Sequence, residues 1–119
     1  MMMNYITKKQ IAAYCLTLGN DVYEDYPFDD NWMAMRHLDG GKTVCFCYEY
    51  YVGENWLNVK CDPEYRSYWL QKYPESIRPA YHQNKLHWLT VVLDGSVAKE
   101  DVESLLQDSY VLTKKHRRK

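Results

Sequence analysis

The chain has 119 residues, 46% of them apolar, and a formal net charge of −1. That length fits one domain able to bury a core without disulfide or metal staples, and no run approaches the eighteen or so apolar residues of a membrane span. Residues 1–59 hold four Lys/Arg against eight Asp/Glu and residues 60–119 hold eleven against eight, the last six alone supplying +5; the remaining −6 excludes the broadly basic surface of a strong non-specific nucleic-acid binder.

Residues 1–5 carry no basic stretch followed by a long apolar core, so no signal peptide is expected and the reading is a cytoplasmic protein. Thr7 and Gln10 form a capping box, and Ile11, Tyr14, Cys15 and Leu18 follow at helical spacing up to Gly19. Residues 21–30 read as an acidic loop in which Pro27 forbids a continuing helix. They lack the spaced oxygen ligands and central glycine of a calcium loop.

Two β-rich runs, residues 32–38 and 43–50, flank Asp39-Gly40-Gly41-Lys42, a hairpin signal. After a turn at residues 52–55, residues 56–61 alternate: Leu57, Val59 and Cys61 share one side, and Trp56, Asn58 and Lys60 the other. Asp62 as N-cap, Pro63 and Glu64 start a second helix, with Tyr65, Tyr68, Trp69 and the stem of Lys72 on one stripe and Pro74 as its stop. Residues 76–83, with Pro79 inside, read as irregular or weakly extended. Residues 87–93 are apolar on both faces, as a central strand is, and end at Asp94-Gly95. A last amphipathic helix begins near Ala98 and presents Val102, Leu105, Leu106 and Ser109. The order is α-β-β-β-α-β-α, with room for one extra short strand near Tyr81. It predicts an α+β two-layer sandwich whose antiparallel sheet carries the helices on one face. The other face is then partly open, with Trp56, Asn58 and Lys60 on it.

Twelve Tyr and four Trp against two Phe suit half-buried positions and binding surfaces, with packing of the sheet's rim as the expected use. Cys15, Cys45, Cys47 and Cys61 form no C-x-x-C pair. They read as reduced thiols, with Cys15 on the buried face of its helix and Cys45 and Cys47 pointing to the same side of a strand.

The second half also carries a resemblance. Residues 60–64 (KCDPE), 81–88 (YHQNKLHW), 90–95 (TVVLDG) and 108–112 (DSYVL), together with Tyr14-Cys15-Leu16 and Tyr26-Pro27-Phe28, are similar to the MmcQ/YjbR family pattern, with Ala80 where the family often has Gly. The resemblance spans nearly the whole chain, residues 1–113 as one domain, and leaves residues 114–119 as a basic tail beyond it. It implies a CyaY-like or secretion-chaperone-like α+β fold and a DNA-binding role through a "double-wing" surface.

Among individual residues, His82, Asn84, Lys85, His87 and Trp88 form the densest polar and aromatic cluster. Lys85 offers a point charge, Asn84 donors and an acceptor, the imidazoles switchable donors and Trp88 a stacking face. The alternative is that they satisfy backbone groups and fix the loop entering the strand. His82 and His87 supply two metal ligands and no clear third, so no metal and no cofactor is expected. No nucleophile elbow, P-loop or dinucleotide fingerprint is present, and no catalytic residue is assigned. The expected function is therefore weak, phosphate-directed DNA binding by Lys60, His82, Asn84, Lys85, His87, Trp88 and the tail residues Lys114, Lys115, Arg117 and Arg118. The alternative is a non-catalytic adaptor that holds a protein or small ligand on its open sheet face, with no membrane as partner.

Overall fold

The computed structural model describes residues 6–40, 42–51, 53–81 and 83–114. Three helices, α1 (Lys8–Leu16), α2 (Pro63–Lys72) and α3 (Lys99–Thr113), pack on a sheet of six strands: β1 (Val22–Asp25), β2 (Met33–His37), β3 (Thr43–Tyr51), β4 (Glu54–Lys60), β5 (Ile77–Pro79) and β6 (Trp88–Val92). The spatial order is β1-β2-β3-β4-β6-β5, antiparallel throughout. This is the α+β sandwich that the element order predicts.

Local chemistry explains the boundaries. Thr7 and Gln10 close the capping box of α1, which stops at Leu16, earlier than Gly19. Asp62 accepts from the Glu64 N–H and places Pro63 at the first helical position of α2. The β3–β4 turn uses Gly53 at φ +81°, where a Cβ would meet no neighbour but would strain the backbone.

Three expectations are corrected. Residues 22–25 are not loop but an edge strand paired with β2; one buried side chain, Val22, anchors it, and its acidic neighbours face outward, as suits an edge. At the opposite edge the extra strand lies at Ile77–Pro79, where Pro79 costs no ladder bond on the open side. The stripe expected on α2 does not form: Trp69 is buried, while Tyr65 and Tyr68 remain 59% and 55% exposed. α2 packs at the sheet's end, where only one row of its surface is covered.

The inner face joins Met33, Met35, Cys45, Cys47, Leu57, Val59, Leu89 and Val91 to Ile11, Cys15, Leu105 and Leu106 of the helices in one core. All four cysteines are free and buried, with Cys15 and Cys45 sulfurs 3.9 Å apart.

Candidate binding surface

Strand alternation sends a second row of side chains away from the helices. Phe46 lies opposite Asn58, Tyr48 opposite Trp56, Asn58 opposite Thr90 and Lys60 opposite Trp88. On this outer face the aromatic side chains meet in one layer. Trp32 stacks on Tyr48 at 3.8 Å and Tyr50 on Trp56 at 4.0 Å. Tyr81 packs edge-on to Trp56 at 5.9 Å, and Phe46 lies 6.1 Å from Trp88. Phe28, on the loop after β1, packs against Trp32 and Phe46, each at 6.2 Å. Both phenylalanines and three of the four tryptophans thus share one surface. The expected use of the aromatics at the rim is replaced by a layer across the sheet.

The layer is partly closed by the segment that carries Tyr81 and Gln83, and Asn58 is the hub that holds both down. Its Oδ1 accepts from the Tyr48 hydroxyl at 2.8 Å and from Thr90 at 2.7 Å. Its Nδ2 donates to the Tyr81 carbonyl at 2.8 Å and to Gln83 Oε1. The Tyr81 N–H completes the circuit by donating to Thr90 at 2.8 Å. Asn58 is therefore fully buried, not exposed, and its amide is spent on the loop. Burial raises the Tyr48 phenol well above its ordinary value.

The cluster of residues 82–88 divides. Asn84 Oδ1 accepts from the Leu86 N–H at 2.9 Å, and its carbonyl accepts from Trp88 at 2.9 Å. The Lys85 ammonium donates to the Ala80 carbonyl at 2.8 Å, closing the loop across its own neck. The His87 carbonyl accepts from the Cys61 N–H at 2.7 Å. Loop-fixing thus describes Asn84 and Lys85, while Trp88 joins the aromatic layer. Lys60 sits opposite Trp88 and borders a groove of about 330 Å³ between α2 and α3, where burial raises the Asp108 carboxyl. Lys114 lies at the far end of α3, its ammonium over the Tyr110 ring at 5.4 Å. His82, Lys115, Arg117 and Arg118 lie outside the described residues. Arg66, which sequence reasoning missed, donates to the Lys85 carbonyl at 3.1 Å and so joins Lys60, Lys85 and His87 at this end of the sheet. One signal for it is its place one turn into a helix that starts beside Lys60.

A third arrangement was also invisible in the sequence. His37 bridges Asp21 Oδ2 at 2.9 Å and Thr113 Oγ1 at 2.8 Å, and the Tyr110 hydroxyl donates to Asp21 Oδ1 at 2.7 Å. An acid, an imidazole and a hydroxyl in line have the outline of a nucleophilic triad. The hydroxyl is nevertheless buried and also lies 2.7 Å from the Ser109 carbonyl, so no substrate atom can reach it. The set ties the last turn of α3 to β2. The hydrogen bond from His37 and that from Tyr110 hold the Asp21 carboxyl below its ordinary value against the opposing effect of its burial. Gly19 permits the tie, since a Cβ there would run into the Tyr110 hydroxyl and Asp21. Among the described residues no three His, Cys, Asp or Glu side chains gather as a metal site, and no helix is long and apolar enough to cross a membrane.

The chain belongs to the YjbR family, whose model matches residues 19–112. It is 36% identical over 101 residues to YyaQ of Bacillus subtilis, covering 76% of this chain and 84% of that protein. Its fold is similar to that of the Deinococcus radiodurans protein DR2400, a DUF419 domain, with a TM-score of 0.81, 32% identity, and 93% and 81% of the two chains covered. A Pseudomonas syringae structure matches with a TM-score of 0.80 at 26% identity, over 92% and 100% of the two chains.

Proposed function

We propose that this YjbR-family chain is a non-catalytic binding module that holds a partner on the outer face of its sheet. The observation that carries this reading is the aromatic layer on the face that bears no helix. Tyr50 is 41% and Phe28 69% exposed, and Trp32, Phe46, Tyr81 and Trp88 are half-buried. Contiguous apolar surface with polar handles is what recognition surfaces use. Its border carries carboxylates at Asp29, which adjoins Phe28 and Trp32, and at Glu54, which accepts from the Trp56 indole at 2.7 Å, while Asp25 on the outer side of β1 is paired with Arg36 at 3.3 Å. Carboxylates there disfavour a phosphate backbone and favour a protein or small cationic ligand. The non-catalytic part of the reading is supported by the burial of His37 and Thr113 in the set they form with Asp21, and by the Cys61 thiol, which burial pushes up to about 11, away from the reactive thiolate. The test is capture of a partner at high salt by the intact chain and by Tyr50→Ala. Loss of capture by a variant that keeps its thermal midpoint supports the outer face; equal capture counts against it.

DNA binding, the role implied by the family resemblance, is the second reading. It is favoured by the gathering of Lys60, Arg66, Lys85 and His87 at one end of the sheet, together with the terminal basic run. Against it, residues 6–114 hold eleven Lys/Arg and sixteen Asp/Glu. Anisotropy titration of duplex and single-stranded DNA separates the readings. Phosphate contacts give an affinity falling with salt, with a log–log slope of about −0.9 per contact on duplex. That binding should be weakened by Lys60→Ala and Arg66→Ala, and its absence at low salt sinks the reading.

A further inference from the structure

Where the outer-face layer meets the loop after β1, two rings stand nearly perpendicular. Phe28 and Trp32 are 6.2 Å apart at 81°, and Phe46 lies within 6.2 Å of both. A shallow cavity of about 310 Å³ opens between them, bordered by Asp29 and Gln83. The Asp29 carboxylate is held in place: its Oδ1 accepts from the Asn31 N–H at 2.9 Å and the Trp32 N–H at 3.0 Å. The second of these bonds ties the Trp32 backbone to the carboxylate, and the Trp32 ring is placed by its stack on Tyr48. Gln83 closes the other wall, its Oε1 engaged by Asn58.

We propose that this notch seats the cationic end of an arginine or lysine side chain of a partner protein. The inference rests on the outer-face reading and names the chemistry of its occupant. Ring faces present negative charge and attract a desolvated cation, and a carboxylate beside them adds a charge-assisted hydrogen bond that a neutral apolar group would leave unmade. The layer already accepts such a group within the chain: the Arg78 guanidinium lies 5.3 Å from the Trp56 ring, on the same face. Phe28 supports the reading from the opposite direction. A phenylalanine left 69% exposed on a loop gains little from folding. As the wall of a cation seat it contributes when the partner arrives.

The test uses the whole chain, ¹⁵N-labelled, titrated with Nα-acetyl-arginine amide and, separately, with the neutral Nα-acetyl-citrulline amide. The arginine derivative should give saturable shifts at the Trp32 indole and the amides of residues 28–32. The citrulline derivative should bind about fivefold more weakly or worse, the discrimination a cation–π contact typically provides. Phe28→Ala should abolish the arginine shifts. Asp29→Asn, which keeps an oxygen for both turn N–H groups, should weaken them severalfold. Equal shifts with citrulline, or arginine shifts that survive Phe28→Ala, overturn the inference. If arginine gives no shift while Tyr50→Ala still abolishes partner capture, the cation seat alone is lost and the outer-face reading stands.

Discussion

The two faces of the sheet solve the same burial problem with different chemistry. Leu57 and Asn58 are consecutive in β4, and both are completely buried. Leu57 enters an aliphatic and thiol core beneath the helices, where burial alone is favourable and no direction is specified. Asn58 enters a layer of rings, and its position is directional: each polar atom of its side chain has partners, and its amide holds Tyr81 and Gln83 over the sheet. The inner face thus stabilises the fold generally. The outer face specifies one loop and leaves its aromatic margin for contact, because rings with polar handles tolerate partial exposure.

Substitutions at this pair break the comparison most sharply. Leu57→Ala should cost about 2–5 kcal/mol of global stability, read as a lowered urea midpoint with protection falling uniformly. Asn58→Ala should cost about 1–3 kcal/mol by leaving the Tyr48 and Thr90 hydroxyls and the Tyr81 carbonyl unpaired. Its signature should be local: hydrogen exchange should accelerate first at residues 80–87. Uniform loss of protection in Asn58→Ala would contradict the division of labour.

The inner face should also be chemically silent. Burial pushes the Cys47 thiol up to about 12 and the Cys61 thiol up to about 11, so the native chain should react with an aromatic disulfide at pH 8 far more slowly than the unfolded chain, which offers all four thiols. Rapid native labelling would mean that the core opens locally.

A smaller effect is expected at Asp21, just before the edge strand β1. The Asp21 carboxyl titrates below its ordinary value of 3.8 when folded, so its contribution is complete above that value and is lost as the pH falls through the lower folded value. The stability gap between the wild type and Asp21→Asn should therefore be widest near neutrality and narrow below about pH 4. A gap independent of pH would remove the charge from the tie between Asp21, His37 and Tyr110. The smallest effect on stability is expected from Tyr50→Ala, about 1 kcal/mol or less for a partly exposed stack on Trp56, alongside its loss of partner capture.

Much of the scaffold was legible from the chain. The capping box at Thr7, the Asp62-Pro63 start and the alternation of residues 56–61 are short-range signals, and each produced the expected element. β1 and β5 were harder to see because an edge strand needs little apolar sequence: one valine and one isoleucine suffice when a neighbour supplies the ladder. The site was less legible. Strand parity placed Trp56, Asn58 and Lys60 on the correct face, yet parity says nothing of what covers a face, and both Trp56 and Asn58 proved to be buried. The polar density of residues 82–88 marked a loop that ties itself down through Asn84 and Lys85. Phe28 and Trp32 lay in and beside a stretch read as a solvated acidic loop.

By itself, the sequence determined the helix starts, the turns, the alternation of inner and outer side chains and membership of a sandwich class, since these depend on backbone preferences over a few residues. Tertiary structure decided which rings meet and which polar groups are consumed. Phe28 reaches Phe46 across eighteen positions, Asn58 reaches Gln83 across twenty-five, and His37 reaches Thr113 across seventy-six. Contacts so remote in the chain leave no periodicity to read, because they depend on how whole elements pack and not on any local repeat.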